Sequence, residues 1–177
     1  MARPNVSRQK VLDAAAELAA AKGISATTVD EIASAAGVAK GSVYYNFESK
    51  EAMYSLLITD ALERAALRIR AALNNAADGT AVATVVRAFL MGIDEHPAAG
   101  KVVATEMFRL DRPWNESLAA QRDVFFSTLQ DALVRDGRES SVSDAAAVFG
   151  AMLMVGFERV VFSPSMSLER AVASAAR

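Results

Sequence analysis

Thr27–Lys50, TTVDEIASAAGVAKGSVYYNFESK, is the stretch from which the fold is legible. Thr28 and Glu31 stand three residues apart, the spacing of a capping box, so a helix begins just after Thr28. Gly37 supplies a left-handed turn residue and ends that helix near Ala36. Ile32, Ala33 and Ala36 give it an inner face whose small residues let another helix approach closely. Gly37-Val38-Ala39 is then a tight turn with one apolar plug. A third, shorter helix follows from about Lys40 to Phe47, with Val43 and Phe47, four apart, as its buried stripe. Two short helices joined by a glycine turn, each with one buried face, describe a helix-turn-helix.

The outer face of the Lys40–Phe47 helix carries the chemistry. On a helical wheel Gly41, Ser42 and Tyr45 lie opposite Val43 and Phe47, with Tyr44 and Asn46 on the flanks and Lys40 at the N-terminal end. Exposed tyrosines, a lysine, a serine and an asparagine are costly for solubility and well suited to a nucleic acid. Their hydroxyls and amide can donate to phosphate oxygens, and lysine can neutralise a phosphate or reach a guanine edge. Gly41 lets the backbone come close to a base or sugar. Lys50, in the first turn of the next helix, suits a phosphate. Each residue has a plainer use: Tyr44 as a ring packed on the core, Thr28 as a cap, Lys50 and Asn46 as ordinary surface groups. Their joint placement is what points to DNA.

Working outward, Val11, Leu12, Ala15, Leu18 and Ala19 form the stripe of an amphipathic helix over about Ser7–Lys22, closed by Gly23. Ser49 caps a long fourth helix whose apolar face is Leu57, Ile58, Ala61, Leu62, Ala65 and Ile69. After a break at Asn74–Gly79, further helices are predicted at about Ala81–Asp94, Ala98–Leu110, Trp114–Arg135, Asp144–Phe162 and Leu168–Arg177. No stretch alternates with a period of two, so the fold class is all-α. The division expected is a helix-turn-helix headpiece over residues 1–52 and a helical body over 53–177.

Asp144–Phe162, DAAAVFGAMLMVGFERVVF, is apolar nearly all round and must be buried on more than one side. In a chain this short a second copy is the natural cover, and the small-residue steps permit close approach. Ala147, Gly150, Ala151, Met154 and Phe157 are the candidate dimer face, against the plainer reading of a monomer's central helix. The intervening stripes, Val82, Val85, Val86, Phe89 and Ile93, then Val103, Met107 and Leu110, then Leu118, Phe125, Leu129 and Leu133, build a core. Phe89, Met107, Phe108, Trp114 and Phe126 are the candidate ligand-lining residues, since methionine and aromatics line adaptable apolar pockets as well as plain cores.

The 177-residue chain has 53% hydrophobic and 23% charged residues, a globular balance. Without cysteine there are no disulfides, thiolate nucleophiles or cysteine-ligated zinc, and the single His96 cannot anchor a typical metal site. No cofactor is implied. The start, Met1-Ala2-Arg3-Pro4-Asn5, is not an apolar signal core, and Ala145–Phe157 is too short for a bilayer span. A cytoplasmic protein, nucleoid-associated when on DNA, is expected. Net charge argues the other way: the chain is formally −2. Through Ala52 the cations Arg3, Arg8, Lys10, Lys22, Lys40 and Lys50 are offset by Asp13, Glu17, Asp30, Glu31, Glu48 and Glu51. No phosphate loop, serine elbow or paired histidines suggests an enzyme; only carboxylates such as Glu106 and Asp111 leave one formally open.

The headpiece resembles the DNA-binding domain of the tetracycline-repressor (TetR) family. The matching features are Thr27-Thr28, Ile32-Ala33, Ala36-Gly37-Val38, Lys40-Gly41-Ser42-Val43-Tyr44-Tyr45, and Phe47 with Ser49-Lys50-Glu51-Ala52. The close match runs from about Val11 to Leu57; beyond it only helical pattern and length are similar. The resemblance implies about nine helices, three forming the headpiece, a fourth linking it to the body, and the last two forming a dimer. It implies that Thr28 contacts phosphate, that Lys40, Gly41 and Ser42 approach bases, and that Tyr44, Tyr45 and Lys50 grip the backbone. Asn46 stands where histidine is usual, and Asp30 stands where some members read a base with a basic residue. The function implied is a homodimeric repressor on a palindromic duplex operator, released by an apolar or amphipathic small molecule. The alternative is a helical ligand-binding protein or enzyme of the same fold that does not act on DNA.

Overall fold

The computed structural model describes residues 3–109 and 111–177. Leu110, expected in the second body stripe, lies outside them. The described residues form nine helices and no strand: α1 (Arg3–Lys22), α2 (Val29–Ala36), α3 (Lys40–Asn46), α4 (Lys50–Asn74), α5 (Ala81–Glu95), α6 (Pro97–Glu106), α7 (Asn115–Arg135), α8 (Val142–Val161) and α9 (Leu168–Ala175). They divide into two compact units, Met1–Ala61 with Ala98–Asn115, and Leu62–Pro97 with Glu116–Arg177.

In the first unit α1, α2 and α3 pack on one another. Val11, Ala15, Ile32, Ala33, Val43 and Phe47 are buried, as the stripes predict. Gly23 and Gly37 both take positive φ, 84° and 67°, and close α1 and α2 at the expected places. The Thr28 cap is formed in full. Its hydroxyl accepts from the Glu31 amide at 3.3 Å, and the Glu31 carboxylate accepts from the Thr28 amide at 2.9 Å. Ser49 accepts from the Ala52 amide at 3.0 Å and starts α4. Met53 and Tyr54, which the expected α4 stripe leaves out, are fully buried. The Tyr54 hydroxyl donates to the Ala15 carbonyl at 3.2 Å, tying α4 to α1. Burial pushes its pKa up to about 12, so it stays a donor at any physiological pH.

The second unit is built on α5, α8 and α9 packed together, with α7 and the later residues of α4 completing the core. Ile69, Val85, Val86, Leu90, Leu129, Leu133 and Met152 are among its fully buried side chains. Asp136 caps α5 from a distance, accepting from the Ala81 and Val82 amides at 2.7 and 3.0 Å. Arg135 donates to the Leu73 carbonyl at 2.6 Å at the end of α4. These two neighbours satisfy the orphan groups at the α4–α5 break, where Gly79 has φ 79°. Helix α8 begins two residues earlier than expected, because Ser141 and Asp144 form a second capping box. Helix α6 ends at Glu106 rather than continuing to Leu110. Among the described residues no helix is long and apolar enough to cross a membrane.

Candidate nucleic-acid interface

The turn between α2 and α3 presents one polar surface. Tyr45 is 86% exposed and Tyr44 50% exposed, the two largest rings on the outer side of α3. Rings this open are not core residues, which answers the plainer reading of Tyr44. Ser42 is half-buried and Gly41 is exposed. A Cβ built on Gly41 would meet nothing within 4 Å, so the backbone there is open to close approach. Thr28 is also exposed, at the head of α2.

Four of the expected contact residues are already engaged within the chain. Lys40 Nζ lies 2.9 Å from each carboxylate oxygen of Asp30, both side chains largely in solvent. The hydrogen bond and charge of Asp30 raise the lysine's pKa above its ordinary value. Asn46 donates to the Ser42 carbonyl at 2.7 Å, one helical turn back, and so caps α3 from inside. Lys50, half-buried, donates to the Ile24 carbonyl at 3.1 Å and the Thr27 carbonyl at 2.9 Å. Two of its three N–H groups therefore hold the α1–α2 turn, leaving one for a phosphate. Thr28 likewise donates its hydroxyl proton to Glu31 at 2.8 Å. The Glu31 carboxyl, bonded first by Lys22 and then by the Thr28 amide and hydroxyl, is lowered to about 2 and stays ionised.

Two features of this surface escape a reading by motif. The Asp30–Lys40 pair spans ten residues, a separation that no helical periodicity links. Arg8, on the exposed side of α1, sets its guanidinium 5.6 Å from the centre of the Phe47 ring, beside the end of α3. The only signal for either was the helix-turn-helix itself, whose turn folds distant residues together.

The polar face of α3 and its supports extend to a match with known proteins. Residues 11–57 match the model of bacterial regulatory proteins of the tetR family. Residues 11–57 thus form a headpiece of the tetR type. Over 56 residues it is 46% identical to the repressor KstR2 of Rhodococcus jostii, covering 32% of this chain and 28% of that protein. The chain thus spans less than a third of the curated relatives it matches. Over the whole fold it is similar to the TetR-family regulator PfmR of Thermus thermophilus, with a TM-score of 0.79 and 25% identity, covering 93% and 94% of the two chains. It is also similar to AibR, solved with isovaleryl coenzyme A and operator DNA, with a TM-score of 0.79 and 16% identity over 96% of each chain.

The other TetR-type expectations fall on the body. Helix α8 has two apolar faces. Ala145, Val148, Met152 and Gly156 point into the core, while Ala147 and Met154 are exposed and Gly150, Ala151 and Phe157 half-exposed. Met154 is 65% exposed and Phe162, ringed against Phe157 at 5.8 Å, is 68% exposed. The last helix, α9, packs on its own unit. Ala171, Val172 and Ala175 are buried there, while Leu168 and Ala176 are partly buried and Ala173 is exposed.

The five expected ligand-lining residues are drawn from both units. Phe89 and Phe126 are buried in the second unit, joined through Phe125 and Phe149 by ring contacts of 5.5–5.9 Å. Met107, Phe108 and Trp114 belong to the first unit. Phe108 is 82% exposed, whereas Trp114 is buried beneath Arg112, whose guanidinium lies 5.5 Å from its ring. Glu106 is buried too, ion-paired with Arg112 at 3.1 Å, so one of the carboxylates left open for catalysis is held by a cation. His96 is exposed at the end of α5, and no cluster that could hold a metal occurs among the described residues.

Proposed function

We propose that the chain is a sequence-specific DNA-binding transcriptional regulator that responds to a small molecule, acting as a repressor released from its operator. Residues 1–52 bind DNA and residues 53–177 dimerise and sense the effector. The observation that carries this is the open face of α3, where Tyr45 is 86% exposed beside Lys40, Gly41 and Ser42. In the major groove this face sets Lys40, Gly41 and Ser42 toward base edges and Tyr44 and Tyr45 toward phosphates. Lys50 adds a backbone contact with the donor it has left, and Thr28 and Asn46 add theirs by exchanging Glu31 and the Ser42 carbonyl for DNA.

The outward face of α8, Ala147, Gly150, Ala151, Met154 and Phe157, is the surface for a second copy. Twofold symmetry then requires a roughly palindromic operator. An amphipathic effector is supported by the fold's capacity, in AibR, to hold an acyl coenzyme A as well as operator DNA. Such a ligand acts only if it binds the DNA-competent and incompetent states unequally. The protein works in the cytoplasm, on the nucleoid.

The test is a mobility-shift titration of genomic fragments with the wild type and a Lys40→Ala/Tyr45→Ala variant. Loss of both contacts is expected to weaken specific binding by about 1–3 kcal/mol for each contact removed. A folded double variant that binds as tightly as wild type overturns the assignment of this face.

A further inference from the structure

We propose that Asp30 is a specificity-determining residue, reading one C·G base pair in each half-site together with Lys40. The proposal rests on the DNA-binding function above and names what one part of that surface recognises. Asp30 lies in the first turn of α2 and Lys40 opens α3, so the tight turn sets an anion and a cation side by side on the exposed surface. Lys40 Nζ is 2.9 Å from both carboxylate oxygens. The two side chains keep 52% and 69% of their surface in water. A pair so exposed contributes little to folding, so stability does not account for it.

On duplex DNA a carboxylate is repelled by the phosphates and lowers affinity for any sequence. Desolvated in the groove it needs more donors than Lys40 alone supplies, and among base-edge groups only the amino groups provide them. Cytosine presents N4–H₂ with no acceptor beside it on its own edge, whereas adenine places the N7 acceptor next to N6–H₂, where it opposes a second carboxylate oxygen. The guanine of the same C·G pair presents O6 and N7, the acceptors lysine prefers. One C·G pair therefore shows an amine beside two acceptors, the complement of a carboxylate beside an ammonium. The ion pair need not break apart to bind; it opens onto a base pair with the matching order of donor and acceptors. Other base pairs leave Asp30 with Lys40 as its one donor or set an acceptor against it, so the same residue favours one site and penalises the rest.

The experiment is selection from a randomised duplex pool with the full-length wild type, Asp30→Ala and Asp30→Asn, each checked for folding by circular dichroism. The wild type should select C·G at one symmetric position per half-site. Asp30→Ala should lose that preference by on the order of tenfold while keeping the other positions. It should also bind mixed-sequence DNA more tightly. Asp30→Asn should shift the preference to A·T, because an amide bonds adenine N6 and N7 together. If all three proteins select the same bases with the same strength, Asp30 reads nothing and the inference falls while the DNA-binding function stands. If the wild type selects no sequence at all, both fall.

Discussion

Replacing Lys50 by methionine separates two roles that this residue can have in a DNA-binding headpiece. The ammonium donates to the Ile24 and Thr27 carbonyls at 3.1 and 2.9 Å, and Thr27 is buried. Methionine keeps the length and apolar stem but offers no donor. A hydrogen bond to a charged group contributes about 1.5–3 kcal/mol when shielded from water. Lys50 is only half-buried, and water can replace part of each bond, so the pair together is worth about 2 kcal/mol. For a chain of this size that corresponds to a melting point lowered by about 4–8 °C. Circular dichroism melts would show it, and amide exchange at Thr27 and Thr28 should accelerate. The log–log salt slope of operator binding should also fall, by about one per half-site, since the third N–H loses its phosphate. A variant that melts unchanged, and whose log–log salt slope still falls by about one per half-site, would show Lys50 to be a phosphate contact and not a clamp.

Helix α8 carries two glycines that should behave oppositely. A Cβ at Gly150 meets nothing within 4 Å of its own chain, so Gly150→Leu should leave the protomer folded and give monomer or aggregate by sedimentation. A Cβ at Gly156 would lie 2.6 Å from Ile93 Cδ1 and 3.4 Å from Leu90 Cδ2, so Gly156→Leu should destabilise the second unit by about 3 kcal/mol in urea unfolding. Replacing Asp136 by alanine leaves the Ala81 and Val82 amides without their acceptor, and should cost about 1–2 kcal/mol in the same assay. The Glu31 carboxyl, held at about 2 against an ordinary 4.5 by Lys22 and Thr28, adds stability that is present above 4.5 and lost as pH falls toward 2. A carbon-13 titration giving Glu31 an ordinary value would refute the closed capping box.

The headpiece was legible because its signals are local. Thr28 with Glu31, Gly37 at the turn, and Val43 with Phe47 are each set by neighbours within four residues, and each formed as its spacing predicts. The body was legible as helices but less so at their ends. Ser141 and Asp144 form a capping box that is as local as the first, yet the apolar run after Asp144 drew the boundary two residues late. What one-dimensional reading could not supply was pairing across turns. Asp136 reaching the head of α5, Arg135 reaching the end of α4, and Lys50 reaching back to Thr27 all join residues more than twenty apart. The same limit governs the candidate sites. Aromatic and methionine content named a ligand-lining set without showing that Phe89 and Phe126 belong to one unit and Met107, Phe108 and Trp114 to the other.

Charge bookkeeping, which spoke against DNA at first, gains a different meaning once partners are known. The headpiece cations are not merely balanced in number by acids; several are held in place. Lys22 is bonded to Glu31, Lys40 to Asp30, Lys50 to two carbonyls, and Arg8 lies over Phe47. A surface of this kind attracts a polyanion weakly at long range, because each local field is largely cancelled within a Debye length. Affinity must then come from contacts that compensate an exchanged partner, and only some sequences provide them. The salt slope follows from the same accounting. It counts the phosphates neutralised, less any anions such as Asp30 that the protein brings with it, and not the lysines and arginines in the headpiece. A slope well below the six per half-site that those cations would allow is therefore the outcome expected, and a slope that reaches six per half-site would mean that the ion pairs described here dissolve completely on DNA.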